Sequence, residues 1–269
     1  MKRGFLIVKD YQGYLIDLDG TMYQGNERIH AAKEFVEFLK DKGLPHLFLT
    51  NNSSKTQLEI ANKLNEMDIP ATENHIFTSS MATASYIAAK NQDGCVFVIG
   101  EGGLHEALLS KGLVITDENP DFVVIGIDRE ITYEKLAKAC LFVRNGAEFL
   151  STNSDIAIPT ERGLVPGNGA LTSVITVSTG VEPVFIGKPE PIIMEQALQT
   201  LGLSKDETLM VGDNYHTDIM AGIQAGVDTL MVFTGVTPFE DFPTLPTKPT
   251  YHVRDLSEWI KKKLSNQTD

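Results

Sequence analysis

Asp17-Leu18-Asp19-Gly20-Thr21 puts two carboxylates two residues apart, directly after the apolar run Tyr14-Leu15-Ile16. On a strand that spacing points both side chains to one side, and the glycine lets the chain turn sharply. Paired carboxylates at such an edge suit two tasks: gripping a hard divalent cation through oxygen, and dividing nucleophile from general acid. Asp-Gly is also a common turn pair, so the pentapeptide alone describes a solvated acidic turn equally well. Three later positions decide between these readings. Thr50 closes His46-Leu47-Phe48-Leu49, Lys188 closes an apolar stretch over 183–187, and Asp213 follows Leu209-Met210-Val211-Gly212, with Asp218 shortly after it. Thr50, Lys188 and Asp213 each stand at the C-terminal end of an apolar run, and in an open parallel sheet those ends form the edge where ligands bind.

Taken singly, every one of these residues has a structural explanation. Thr50 suits a strand-end hydroxyl capping its own turn, Lys188 a solvated lysine before proline, and Asp218 a first-turn helix acid favoured by the macrodipole. Asn214, Ser53 and Ser54 suit turns and caps. Together they describe a site for a phosphate monoester. A dianionic ester repels a carboxylate nucleophile unless its charge is neutralised, and Mg²⁺ held by Asp17, Asp213 and a backbone carbonyl would do this. Lys188 would screen the phosphoryl oxygens and steady Asp17 as the anion. The Thr50 hydroxyl would bind phosphoryl oxygen without adding charge. Asp17 would attack phosphorus in line, giving an acyl phosphate. Asp19, hydrogen-bonded rather than metal-bound, would protonate the leaving oxygen and then activate water. Acting as an acid requires a carboxyl kept protonated by desolvation or by a nearby anion.

The elements that must position these groups alternate strand and helix almost throughout, which predicts parallel sheet covered by helices. The spacing predicts helices over 29–42, stopped at Gly43, and 55–67, capped by Ser53 or Ser54; strands fall at 46–49 and 76–77. From 81 to 180 the pattern restarts as a unit: helix 81–91, strand 95–99, helix 102–111, strand 122–126, helix 133–145, strand 148–151, helix 168–179. Strand 183–188 then resumes the first domain. Helix 190–201, strand 208–211, helix 216–225 closed by Gly226, strand 229–233, a proline-dotted loop 238–249 and helix 255–264 follow. In the last helix Leu256, Trp259, Ile260 and Leu264 are expected to face inward. The expected domains are therefore a discontinuous core, 1–80 with 181–269, and an insertion, 81–180.

Composition narrows the class. Hydrophobic content of 42% and charged content of 22% are those of a soluble globular chain. Net charge is −13, so no basic footprint exists for nucleic acid or an anionic membrane. Cys95 and Cys140 lie among apolar residues and predict buried, reduced thiols. Met1-Lys2-Arg3 and the apolar residues after it imitate a secretion signal but are interrupted at Lys9-Asp10, so cytoplasmic residence is the expectation.

The motifs match a family. Asp17-Leu18-Asp19-Gly20-Thr21, Leu49-Thr50-Asn51-Asn52, Gly187-Lys188-Pro189 and Gly212-Asp213-Asn214-Tyr215-His216-Thr217-Asp218 resemble the four motifs of haloacid dehalogenase (HAD) superfamily phosphatases. The insertion between the second and third, Asn51-Asn52-Ser53 and Pro166-Gly167-Asn168-Gly169-Ala170 are similar to the NagD-like (class IIA) branch, in particular its Gram-positive sugar-phosphatase members. The resemblance implies a Rossmann-like doubly wound core with an inserted α/β cap of the C2 type, Mg²⁺ dependence, and phosphoaspartate chemistry. It implies Asp17, Asp19 and Lys188 as catalytic residues, and Thr50, Asn51 and Lys188 as phosphate ligands. The metal set is drawn from Asp17, Asp19, Asp213 and Asp218, the last directly or through water. Sugar or acid-sugar phosphates are the implied substrates, with nitrophenyl phosphate accepted in vitro. For leaving-group specificity the irregular stretch 152–169 offers Asn153, Asp155 and Arg162. The partner is a small phosphorylated metabolite, and a homodimer is left open. A mutase on the same fold and a non-enzymatic phosphate-binding switch are the alternatives.

Overall fold

The computed structural model describes residues 8–160 and 162–265. The apolar start that imitates a signal lies largely outside them. The chain forms two compact units, one of residues up to 49 with 63–71 and 198 onward, the other of 50–62 with 72–197.

In the first unit, Gly13–Ile16 is a buried strand. It pairs in parallel with Thr208–Gly212 on one side (Ile16 opposite Val211) and with His46–Thr50 on the other (Ile16 opposite Phe48). Asp228–Val232 and then Tyr251–Val253 extend the sheet beyond Thr208–Gly212, also in parallel. Burial on both faces explains why these strands read as continuous apolar runs rather than alternating ones. The chain runs outward from Gly13–Ile16 in one direction, and returns to begin again beside it at Thr208–Gly212. That reversal is the switch point at which α/β sheets bind ligands.

The helix expected from 29 is Ala32–Asp41. It starts late because Tyr23–Gln24 and Glu27–Arg28 pair as a small hairpin, and Ala31 sits at φ 64°, outside the helical region. The last helix, Leu256–Ser265, buries Leu256 and Trp259 as expected, but Leu264 is exposed and Lys263 takes the buried place. The Lys263 ammonium donates to Asp10 Oδ1 at 2.6 Å, so the amine lies along the apolar face while its charge is paired. The loop 238–249 holds a short 3₁₀ segment, Phe239–Thr244.

The second unit carries a parallel sheet in the order Val184–Phe185, Glu148–Ser151, Phe122–Ile125, Cys95–Ile99, Val114–Ile115. Helices cover both faces. Ile87, Leu104 and Leu108 pack on one, while Phe97, Val123, Phe149 and Ile175 pack on the other. Val184–Phe185 thus pairs here, where the sequence reading had the strand 183–188 resuming the first domain. The stretch 50–62 also bonds within this unit, through Ser53 Oγ accepting from Ile127 N at 3.1 Å and Ser80 Oγ donating to Ser53 O at 2.9 Å.

Ser53 and Ser54 do not cap the helix Gln57–Glu66. Thr56 and Glu59 do so reciprocally, each backbone N–H bonding to the other's side chain. Within the stretch expected to be irregular, Ala157–Thr160 and Gly163–Pro166 form an antiparallel hairpin. Cys95 and Cys140 are free thiols, half-buried rather than fully buried. Among the described residues no helix is long and apolar enough to cross a membrane.

Candidate active site

In the first unit the backbone N–H of Asp17 donates to Val211 O at 2.8 Å, carrying the ladder one residue past Ile16. Asp17 therefore stands on the C-terminal edge, beside the strand whose end is followed by Asp213. Asp218 arrives by a local device. After Asn214 the chain enters a wide π-type turn, Tyr215–Ile219, before the regular helix Met220–Ala225, where one helix was expected over 216–225. The turn folds Asp218 back onto Gly212, where an added Cβ would lie 2.3 Å from that of Asp218. The three side chains are buried, and each offers a carboxylate oxygen within 4.8 Å of the others.

Neutral donors fix these acids. Thr21 Oγ1 donates to Asp213 Oδ1 at 3.1 Å and Val236 N to Asp213 Oδ2 at 2.6 Å. Asn214 N donates to Asp218 Oδ2 at 3.0 Å and Thr217 Oγ1 to Asp218 Oδ1 at 3.2 Å. Two glycines allow this approach. A Cβ at Gly20 (φ +88°) would stand 2.4 Å from Asp213 Oδ2, and one at Gly235 2.1 Å. The loop 234–237 was missed from sequence, although it too follows an apolar strand, and Thr234 Oγ1 ties it to Gly20 O at 2.6 Å.

Asp19, the fourth acid expected around a metal, is not among the three whose side-chain oxygens gather. Asp19 itself is exposed. The Tyr23 hydroxyl donates to its Oδ2 at 3.3 Å. Burial, then the charges of Asp19 and Asp17, hold that phenol far above its ordinary range, so it remains a donor at any working pH.

The second unit holds the other candidates. Thr50 Oγ1 accepts from Asn52 N at 3.1 Å, the turn-capping role, which leaves its own proton to give. Lys188 is 2% exposed, so the solvated-lysine reading fails. Asn51 Nδ2 donates to Lys188 O at 2.9 Å and to both oxygens of Asp155 at 3.2 Å, so these side-chain donors are engaged within the protein. Asn153 is buried as well. Its Nδ2 donates to Asn51 O at 2.9 Å and its Oδ1 accepts from Asp155 N at 3.1 Å. Arg162 is exposed in the turn of the hairpin, and its neighbour Glu161 lies outside the described residues. Asn168, read from sequence as turn chemistry, is a buried hub whose Nδ2 reaches Ser151 Oγ and Asn153 O, each at 2.9 Å.

Three converging carboxylates offer only oxygen, the donor set of a hard divalent cation. The cluster stands at the switch point of a parallel α/β sheet, which places the protein in the class of α/β folds that bind their ligands at that edge. Comparison with known proteins narrows this. A family described as haloacid dehalogenase-like hydrolase matches residues 14–114, and a second, HAD-hydrolase-like, matches 185–259. The chain is 64% identical to the 5'-nucleotidase YutF of Bacillus subtilis over 94% of its length and 99% of that protein's. It is 56% identical to the acid sugar phosphatase of Staphylococcus aureus, over 94% and 98% of the two chains. The solved structure of NagD from E. coli superposes with a TM-score of 0.87 at 37% identity, over 93% and 98%. The chain belongs to the haloacid dehalogenase-like hydrolases, among their NagD-like phosphatases.

Proposed function

We propose that the protein is a Mg²⁺-dependent phosphatase of small phosphorylated metabolites, in the first place sugar and acid-sugar phosphates, working in the cytoplasm. The single observation that carries the reading is the buried Asp17–Asp213–Asp218 cluster, whose oxygen-only donors suit that ion. The bound ion would neutralise phosphoryl charge that otherwise keeps a carboxylate away. Asp17 is the nucleophile, its carboxylate forming a bond to phosphorus as the ester oxygen leaves. Asp19 gives that oxygen a proton and later takes one from water. Thr50 donates its hydroxyl proton and Lys188 its charge to the phosphoryl group. The domains are a core of 1–80 with 181–269 and a cap of 81–180, and Arg162 is the remaining candidate for a leaving-group carboxylate.

The acid sugar phosphatase and the 5'-nucleotidase among the relatives set the competing substrate classes. Phosphate release measured over sugar phosphates, acid-sugar phosphates, nucleoside monophosphates and pyridoxal phosphate distinguishes them. The expected result is the highest kcat/KM on a sugar or acid-sugar phosphate, loss with EDTA and recovery with Mg²⁺. Undiminished release in EDTA would remove the cation, and a nucleotide as best substrate would overturn the substrate class. Transfer of the phosphoryl group to a sugar hydroxyl with little free phosphate would make the enzyme a mutase.

A further inference from the structure

Five residues of the second unit close a circuit around the backbone of Lys188. Asn51 Nδ2 donates to Lys188 O and to the Asp155 carboxylate. Asn153 completes the ring, bonding Asn51 O with its amide N–H and Asp155 N with its amide oxygen. Gly187 is the fifth member. A Cβ there would stand 2.6 Å from Asn51 Oδ1 and 2.6 Å from Thr152 O, so only glycine lets the amide lie against the chain at this point. Gly187 N in turn donates to Thr152 O at 2.9 Å, and Ile186 N to Ser151 O at 3.0 Å.

The orientation of the Asn51 amide is informative. Its Oδ1 is buried with no hydrogen-bond partner, while its N–H groups face a carboxylate and a carbonyl. An amide that leaves its acceptor unsatisfied in order to aim its donors is held for what those donors do. Nothing about them reaches outward, because both are spent inside the circuit. The carboxylate of Asp155 selects the flip that points NH₂ at Lys188 O, since the opposite flip would set oxygen against oxygen.

We propose that Asn51 and Asp155 are positioning residues for Lys188, replacing the direct phosphate-binding and specificity roles that the sequence suggested for them. A lysine side chain has four rotatable methylenes, and its charge is aimed only as well as its backbone is fixed. The circuit fixes that backbone: Asp155 orients Asn51, and Asn51 holds the Lys188 carbonyl. Asn168 supports the ring from beneath by donating to Asn153 O. The inference rests on the phosphatase reading, in which Lys188 serves the phosphoryl group.

The test compares Asp155→Ala, Asp155→Asn, Asn51→Ala and Lys188→Ala with the wild-type chain. It reads kcat/KM on the best sugar phosphate, inhibition by inorganic phosphate, and melting temperature. Asp155→Ala and Asn51→Ala are each expected to lower kcat/KM about ten-fold and to weaken phosphate inhibition in parallel. Asp155→Asn keeps an acceptor oxygen for the Asn51 amide and is expected to stay within about three-fold of wild type. In the Lys188→Ala background, Asp155→Ala should cost nothing further, because its effect runs through the lysine. Wild-type kinetics in Asp155→Ala, or the same loss with and without Lys188, would overturn the positioning role. The phosphatase reading fails separately, if the wild-type chain releases no phosphate or Lys188→Ala leaves release intact.

Discussion

Both units place polar groups just past the C-terminal ends of parallel strands, yet they solve opposite problems there. The first gathers three carboxylates and orients Asp213 and Asp218 with hydroxyl and N–H donors from Thr21, Val236, Asn214 and Thr217. The second spreads one carboxylate, Asp155, over an amide that bonds a lysine's carbonyl. Like charges within 4.8 Å are held together by the fold at a cost in stability, the condition that favours a bound cation. The amide circuit spends the Asn51 donors on a carboxylate and a carbonyl and leaves its Oδ1 without a partner. On the proposed reading, one edge is completed by an ion and the other holds a side chain still.

The sharpest way to break this contrast is to neutralise one member on each side. Asp17→Asn is expected to lower kcat by about 10⁴-fold or more, since it removes the proposed nucleophile. In EDTA the same variant should melt higher by about 2–4 °C, because one of three crowded charges has gone. Asp155→Ala should lower the melting temperature. An Asp17→Asn protein that is active, or that melts lower without metal, would show that the first edge is not a cluster of mutually repelling acids.

Asp19 tests the contrast from its margin, because it is exposed and lies outside the gathered set. Asp19→Asn should slow sugar phosphates by about 10²–10⁴-fold, the range of general acid catalysis. Nitrophenyl phosphate, whose leaving group needs no proton, should lose far less. Equal losses would reassign Asp19 from proton transfer to structure.

Arg162 carries the smallest expected effect. Arg162→Ala should raise KM for an acid-sugar phosphate by about ten-fold, the value of one charge-assisted hydrogen bond, and leave nitrophenyl phosphate unchanged. An unchanged KM for the acid-sugar phosphate would leave the arginine a surface residue.

What was legible in the sequence follows the same division. Asp17 and Asp213 stand directly after apolar runs that end in or near glycine, so strand end and chemistry could be read together. Asp218 was legible as an acid near the start of a helix, although the π-type turn that folds it onto Gly212 was not. The circuit escaped because it joins Asn51 to Asp155 and Lys188, 104 and 137 residues apart, and no local pattern encodes such a pairing. The hairpin Ala157–Thr160 with Gly163–Pro166 was hidden by Pro159, Pro166 and Gly163, residues that weaken any strand pattern. In the last helix, residue type misled: periodicity from Leu256 and Trp259 leads to position 263, and a lysine fills it.

The fate of the phosphoryl group tests the role of Asp17 most directly. Rapid quenching of the Mg²⁺-loaded enzyme with a sugar phosphate, followed by mass spectrometry of its peptides, should find one phosphoryl group on the peptide containing Asp17. That adduct should be labile to hydroxylamine and absent from Asp17→Asn. Phosphate released in a single turnover with Asp17 never modified, or a stable phosphoryl group on another residue, would contradict it.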